Sequence, residues 1–300
     1  MASRPAPNPQ TRQTATPYLA FKDAPAAIDF YKKVFGAIEM VRLMGPDGKN
    51  GHAEIRIGNS TVFLSDEFPD FGSISPQTVG GSALKINLYV EDVDDAAARA
   101  LAAGAKIIRT VQDQFYGERS GQVQDPFGYT WILSSIIEEL SAAEMQKRFD
   151  AIMAQGAEGH AEKPKPPVNP IPSGFHSITP YLIVPEASRL IEFIRKAFSA
   201  EEKLRVHVPG SEKIMHAELK VGDSMIELAD ASPEHPAMPY SIHLYVPNTD
   251  ATYERALFAG GKSRRAPEDT SYGDRSAAVN DPFGNAWFIA TRIKEATLKL

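Results

Sequence analysis

From Tyr116 to Leu133 the chain reads Tyr-Gly-Glu-Arg-Ser-Gly-Gln-Val-Gln-Asp-Pro-Phe-Gly-Tyr-Thr-Trp-Ile-Leu, and from Tyr272 to Ile289 it writes the same pattern again. Tyr272, Gly273, Asp274 and Arg275 return, then Asp281, Pro282, Phe283, Gly284 and Trp287, every marker at one fixed offset. A repeat with a period of about half the chain predicts two ordinary domains in 300 residues rather than one large one. Alternation around Val123 and around Trp131 predicts two half-buried strands. Asp125-Pro126-Phe127-Gly128 supplies the turn between them, with Pro fixing φ and Gly admitting positive φ. Arg119 and Arg275 stand beside a Tyr-Gly pair where a strand enters the sheet, and read as pocket cations or as buried ion-pair partners.

Working outward, Thr16 to Phe21 is a β-rich run. Asp23 and Pro25 then open a helix whose Ala27, Phe30, Tyr31 and Val34 keep helical spacing and which Gly36 closes. Strands follow at about 37–44, 51–57 and 61–66, separated by Pro46-Asp47-Gly48 and Gly58-Asn59. After a loop over 68–82 the order repeats: a strand at 84–90, a helix at 92–103 closed by Gly104, a strand at 106–112, then the opening hairpin. Each half is thus two βαβββ units in series. Ser141 with Glu144 three residues on predicts a capped helix to about Gln155, and the Lys163-Pro164-Lys165-Pro166-Pro167 tract a semi-extended linker. Thr179-Pro180-Tyr181-Leu182, His216-Ala217-Glu218 and Leu244-Tyr245-Val246 then match Thr16-Pro17-Tyr18-Leu19, His52-Ala53-Glu54 and Leu88-Tyr89-Val90.

A hydrophobic share of 43% gives each half a core, and a net charge of -6 without long runs argues against a nucleic-acid surface or an anionic-membrane patch. With no cysteine in the chain, disulfides, thiolate nucleophiles, zinc ribbons and iron-sulfur clusters are excluded. Met1 to Gln13 resembles neither a signal peptide nor an anchor, and no window is apolar for long enough to span a bilayer. We expect a soluble, cytoplasmic protein with a disordered start at 1–13, one domain at 14–140, a helix and Pro-rich linker at 141–176, and a second domain at 177–294.

Paired βαβββ units, Phe30-Tyr31 near the end of the first helix, the His52-Ala53-Glu54 strand and the Tyr-Gly-x-Arg through Asp-Pro-Phe-Gly-x-x-Trp hairpin together resemble the vicinal oxygen chelate superfamily. That superfamily takes in glyoxalase, bleomycin-resistance proteins and extradiol dioxygenases, and the residues suggest its PhnB-like branch. The resemblance spans Ala15–Phe149 and Ile178–Ile293. It implies an α+β fold of tandem glyoxalase/bleomycin-resistance-like domains, each two βαβββ units with a curved mixed sheet, paired so that a cleft opens on the concave face. It also implies a monomer acting as an intramolecular pseudo-dimer with two clefts, which Asn87 against His243 and Arg56 against Lys220 make unequal. The family's metal-ligand positions fall on Thr16, Glu54, Lys85 and Ile132 in the first half and on Thr179, Glu218, Ser241 and Phe288 in the second. Lysine and apolar side chains offer no lone pair to a cation, so neither a metal nor another cofactor is expected.

The strands can also be read without the resemblance. His52, Glu54 and Arg56 share a face opposite Ala53, Ile55 and Ile57; His216, Glu218 and Lys220 do so opposite Ala217, Leu219 and Val221. Lys85, Asn87 and Tyr89, and Ser241, His243 and Tyr245, are the polar faces of the strands that open the second units. If these faces converge, each half lines a pocket for a small polar ligand. Glu54 and Glu218 are the candidate general bases and His52 and His216 the proton shuttles. The other candidate ligand contacts are Tyr18, Tyr116, Arg119, Trp131, Tyr181, Tyr272, Arg275 and Trp287. His216 and Glu218 also form an i, i+2 pair that a metal would need a third ligand to use. Three functions follow: a protein that binds a small molecule, a metal-independent isomerase or lyase with a Glu base, and a metal-dependent glyoxalase or dioxygenase with an atypical ligand set.

Overall fold

The computed structural model describes residues 13–82, 84–155 and 170–294. The expected disordered start and most of the Pro-rich linker fall outside them. The first unit is β1 (Ala15–Phe21), α1 (Ala24–Phe35), β2 (Ile38–Met44), β3 (Asn50–Ile57) and β4 (Ser60–Asp66). A loop carrying a 3-10 turn (Pro69–Phe71) and the short α2 (Pro76–Val79) leads to β5 (Leu84–Tyr89), α3 (Val93–Ala102), β6 (Lys106–Asp113), β7 (Glu118–Gln124) and β8 (Thr130–Ile136). After α4 (Ala142–Gln155) the third unit holds β9 (Ile178–Val184), α5 (Ala187–Phe198), β10 (Glu201–His207), β11 (Ile214–Val221) and β12 (Ser224–Asp230). The fourth holds β13 (Ser241–Tyr245), α6 (Thr249–Phe258), β14 (Lys262–Asp269), β15 (Asp274–Asn280) and β16 (Ala286–Arg292).

Local chemistry sets these elements as expected. The Asp23 carboxylate accepts from the Ala26 N–H at 2.9 Å and caps α1, while Gly36 ends it in the left-handed region at φ 66°. The Glu144 N–H donates to Ser141 Oγ at 3.2 Å at the start of α4.

The strands assemble into two 8-stranded sheets, ordered β14-β15-β16-β13-β1-β4-β3-β2 and β10-β11-β12-β9-β5-β8-β7-β6. Each sheet therefore joins a unit of the first half to a unit of the second. The joints are antiparallel, β1 to β13 with Thr16 opposite His243, and β5 to β9 with Asn87 opposite Thr179. Helices tie each half together instead: the Arg99 guanidinium of α3 donates to the Val34 carbonyl at the end of α1, and Arg255 of α6 to the Ala197 carbonyl of α5. Register shifts between the outer strands of every unit, such as Glu39/Val41 in β2, bend the sheets so that one face is concave. The convex faces bury Leu19, Ile55, Leu64, Ile86, Leu182, Ile226, Leu228 and Ile289 under the helices.

Trp131 and Trp287, expected as ligand contacts, are fully buried in this core. The Trp131 ring lies 5.0 Å from Tyr31 and 4.6 Å from Phe35, both on α1. Its Nε1 donates to Asp125 Oδ2 at 2.9 Å, and Trp287 does the same to Asp281 at 3.2 Å. Both tryptophans alternate onto the helix-covered side of their strands, so neither reaches a concave face.

Candidate functional site

Two clefts open on the concave faces, and each takes residues from both halves. The expectation that each half lines its own pocket is thus corrected by the strand order: β1–β4 share a cleft with β13–β16, and β5–β8 share one with β9–β12.

The first cleft holds a cavity of about 1090 Å³ lined by Tyr18, His52, Glu54, Ser241, His243, Tyr245 and Tyr272 of the expected set. Phe63, Arg264, Arg265 and Asp274 also line it and were not anticipated, and Phe288, which the resemblance put on a metal-ligand position, lines it too. Rings make up its floor. Phe63 lies 5.0 Å from His52, 5.1 Å from His243 and 5.8 Å from Tyr18, and Tyr18 lies 5.8 Å from Phe288. The Arg264 guanidinium sits 5.9 Å from the Phe288 ring centroid. The loop over 68–82 closes one side. Gly72 there has φ 67°, in the left-handed region that glycine adopts without strain.

A hydrogen-bonded string runs through this cleft. Tyr18 Oη and His52 Nδ1 are 3.0 Å apart, and His52 Nε2 and Glu54 Oε1 are 3.4 Å apart. Burial, with the nearby Tyr272 and Glu54, pushes the Tyr18 phenol up to about 12, so it stays protonated and donates to the imidazole. Tyr245 donates to Asp274 Oδ2 at 3.0 Å, and Arg292 holds Asp274 Oδ1 at 3.1 Å.

The second cleft repeats the string with Tyr181, His216 and Glu218, each link 3.4 Å long. Around it the residue types differ. Glu227 of β12 stands where the first cleft has Phe63, because the registers place Glu227 opposite Glu218 and Phe63 opposite Glu54. Asn87 Nδ2 donates to Glu227 Oε2 and to the Tyr89 hydroxyl, both at 3.3 Å, and Tyr89 donates to Glu118 Oε1 at 3.2 Å. Burial lifts Glu227 to about 8; His216 pulls it back, and Glu218 and Glu118 lift it further. Burial raises Glu118 as well. Burial pulls the His216 imidazole down, but the bond to Glu218 and the charges of Glu227 and Glu118 outweigh it and leave its pKa raised. At the other end Lys85 Nζ lies 3.4 Å from His235 Nδ1, and Arg109 donates to Ser120 Oγ at 2.7 Å. Tyr116 reaches the same Ser120 Oγ at 3.1 Å.

Besides the two tryptophans, four expected ligand contacts lie elsewhere. Arg119 makes a bidentate pair with Asp94 at 2.7 and 2.9 Å and reaches Asp113 at 2.8 Å. Arg275 is held in the same way by Asp250 and Asp269. Each clamps the helix of its unit to the strand, on the side away from the cleft, which settles the choice left by the sequence in favour of ion pairing. Arg56 is exposed and donates to the Gly58 carbonyl at 3.4 Å, and Lys220 pairs across from Glu201 at the sheet edge. Both sit too far along their strands for the concavity to enclose them.

The strand exchange also recombines the metal positions that the resemblance implied. Thr16 and Glu54 share the first cleft with Ser241 and Phe288, and Thr179 and Glu218 share the second with Lys85 and Ile132. A glutamate is the one ionic donor in either set, so neither fits a metal. A different trio does gather in the second cleft: the ligand atoms of His216, Glu218 and Glu227 lie within 4.8 Å of one another. Sequence reading missed Glu227 and Glu118. The signal for the first was a lone acid in the apolar run Ser224-Met225-Ile226-Glu227-Leu228-Ala229. For the second it was the acid beside Arg119 in the hairpin itself.

With fold and clefts in view, comparison with known proteins defines the class. The sequence profile of the Glyoxalase/Bleomycin resistance protein/Dioxygenase superfamily matches residues 13–133 and 174–289, and the chain belongs to that superfamily. An uncharacterized protein of Mycobacterium bovis is 43% identical over 144 residues, 47% of this chain and 93% of the relative. The crystal structure of glyoxalase I from Zea mays superposes with a TM-score of 0.64 at 19% identity, covering 93% of each chain. A putative dioxygenase from Bacillus subtilis does so with a TM-score of 0.56 at 12% identity, covering 94% of this chain and 86% of the other. At those identities the likeness concerns the fold: tandem glyoxalase-like domains.

Proposed function

We propose that this is a PhnB-like, tandem member of the superfamily that works in the cytoplasm and binds a small, planar, anionic organic molecule in the first cleft without a metal there. The observation that carries this reading is the make-up of the 1090 Å³ cavity. Aromatic faces from Tyr18, Phe63, His243 and Phe288 suit a flat apolar body, and Arg264 and Arg265 suit an acidic group at its edge. Phe288 occupies a place where a metal-using site of this family would need a donor. No helix among the described residues is long and apolar enough to cross a membrane.

A second reading, a metal-independent isomerase or lyase, draws on the Tyr18–His52–Glu54 string, which joins a buried carboxylate to a proton carrier. One experiment addresses both. A thermal-shift screen of small aromatic acids is expected to find a ligand, because saturation at 100 times Kd stabilises the fold by about 2.7 kcal/mol. The hit is then offered to a Glu54→Gln variant. Retained affinity with no turnover by either protein fits binding alone, whereas turnover that the substitution abolishes establishes the base. Failure of every aromatic acid to shift the melting temperature would refute the proposal.

A further inference from the structure

We propose that Lys85 is a nucleophilic amine that forms a Schiff base with a small aldehyde or 2-oxo acid entering the second cleft, with His235 moving its proton and Arg109 holding the acid group. This chemistry belongs to the second cleft and is independent of the ligand proposed for the first.

The first argument is position. Lys85 and Arg109 stand at the repeat-equivalent places of Ser241 and Arg265, both of which line the cavity of the first cleft. The two sheets have equivalent strand orders, and the two arginines make the same bond: Arg109 donates to Ser120 Oγ and Arg265 to Ser276 Oγ, each at 2.7 Å. Lys85 therefore faces the second concavity. The first cleft has a serine in its place, so the amine belongs to one cleft alone.

The second argument is what surrounds the amine. A buried lysine is ordinarily paired with a carboxylate. Lys85 is 9% exposed, yet among the described residues its Nζ meets an imidazole, His235 Nδ1 at 3.4 Å, and no carboxylate. Its strand neighbours carry no charge: Thr130 on β8, and Tyr181 on β9, whose phenol burial keeps protonated. Arg109 on β6 adds a like charge, and burial with that charge holds the amine at about 8. Desolvation beside a second cation is a known way to free a lysine lone pair at neutral pH. Burial and Lys85 depress His235 in turn, against the opposing pull of Glu234, so its imidazole is neutral and accepts the proton.

The third argument is access and an unused donor. His235 is exposed at the rim, where its N–H donates to the Ser232 carbonyl at 3.1 Å in a tight turn, so it links the amine to solvent. Arg109 Nε is buried without a hydrogen-bond partner among the described residues. Such donors are rare, and a carboxylate oxygen beside the reacting carbonyl would satisfy this one.

The step needs no oxidant. His235 takes a proton from the Lys85 ammonium, and the freed nitrogen pair bonds to the carbonyl carbon as the C=O π pair moves to oxygen. A nitrogen proton passes to that oxygen. His235 then returns its proton, the C–O bond breaks, water leaves, and the remaining nitrogen pair closes the C=N bond of a protonated imine.

The test incubates the full chain with glyoxylate and sodium cyanoborohydride, which reduces an imine to a stable secondary amine, and maps carboxymethylated lysines by peptide mass spectrometry. At neutral pH Lys85 is expected to label about tenfold or more faster than the exposed Lys33 and Lys262. Its rate should level off above about pH 8 while theirs keep climbing. Lys85→Met should remove that adduct and leave the others. Measured on the plateau, Arg109→Gln should raise the glyoxylate concentration for half-maximal labelling about tenfold, and leave labelling by acetaldehyde, which has no acid group, nearly unchanged. His235→Gln should slow both probes, with circular dichroism unaltered in every variant. The proposal is overturned if Lys85 labels no faster than Lys33 and Lys262, or if its rate shows no plateau; equal effects of Arg109→Gln on the two probes would overturn the place given to Arg109.

Discussion

Lys85 shows what the clefts ask of single residues. The residue is 9% exposed, and burial, reinforced by Arg109, brings its pKa down to about 8 from 10.5. A lysine whose folded-state pKa is depressed destabilises the fold while it is charged. The penalty is full below about pH 8 and fades as pH rises toward 10.5, because the folded chain gives up the proton before the unfolded chain does. Lys85→Met is therefore expected to be more stable than the parent at neutral pH by on the order of 1 kcal/mol or more. The advantage should shrink steadily above pH 8, and urea denaturation across that range measures it. An advantage that does not change with pH would assign the gain to packing rather than to the buried charge.

Among elements, the β7–β8 hairpin carries most of the structural chemistry. Asp125 Oδ2 accepts from Tyr31 Oη at 2.6 Å and from Trp131 Nε1, and its Oδ1 accepts from the backbone N–H of Phe127 and Tyr129. One carboxylate thus joins α1, the turn and the strand after it. Asp281 likewise accepts from Trp287, and from Tyr240, just before β13, rather than from a helix. Asp125→Ala would leave several buried donors without partners at about 1–3 kcal/mol each, so a loss of at least about 3 kcal/mol is expected in chemical denaturation. A loss below about 1 kcal/mol would mean that Pro126 and Gly128 alone hold the turn. The hairpin was legible in the sequence because Pro and Gly punctuate both copies. The role of Trp131 was not: alternation separates two faces, but which of them lies under a helix depends on where α1 packs. The same limit hid Glu227, whose importance rests on standing opposite Glu218 in a register that a single strand does not reveal.

At the scale of the whole molecule, the two halves share the order of their strands and long helices, and that is why the sheet composition escaped a reading of the sequence. β5 and β13 are equivalent edges, and either could have joined β1. Pairing β1 with β13 closes a contact between residues such as Thr16 and His243, far apart along the chain, and local pattern carries no trace of it. Duplication itself, the βαβββ units and the sharing of one polar strand face by His52 and Glu54 were readable from repeats and alternation; that His243 of the other half joins them with Tyr18 was not. Exchange between halves then lets the clefts diverge: one lined with rings and arginines, the other with acids around an imidazole.

The most direct test of this account is to titrate a ligand found by the thermal-shift screen, by calorimetry, into Phe63→Ala, altered in the first half, and His243→Ala, altered in the second. The account predicts that both substitutions weaken binding of the same ligand by about tenfold or more, roughly 1.4 kcal/mol, while both proteins remain folded. If only one half's substitution matters, or neither does, the shared first cleft is not where the ligand binds.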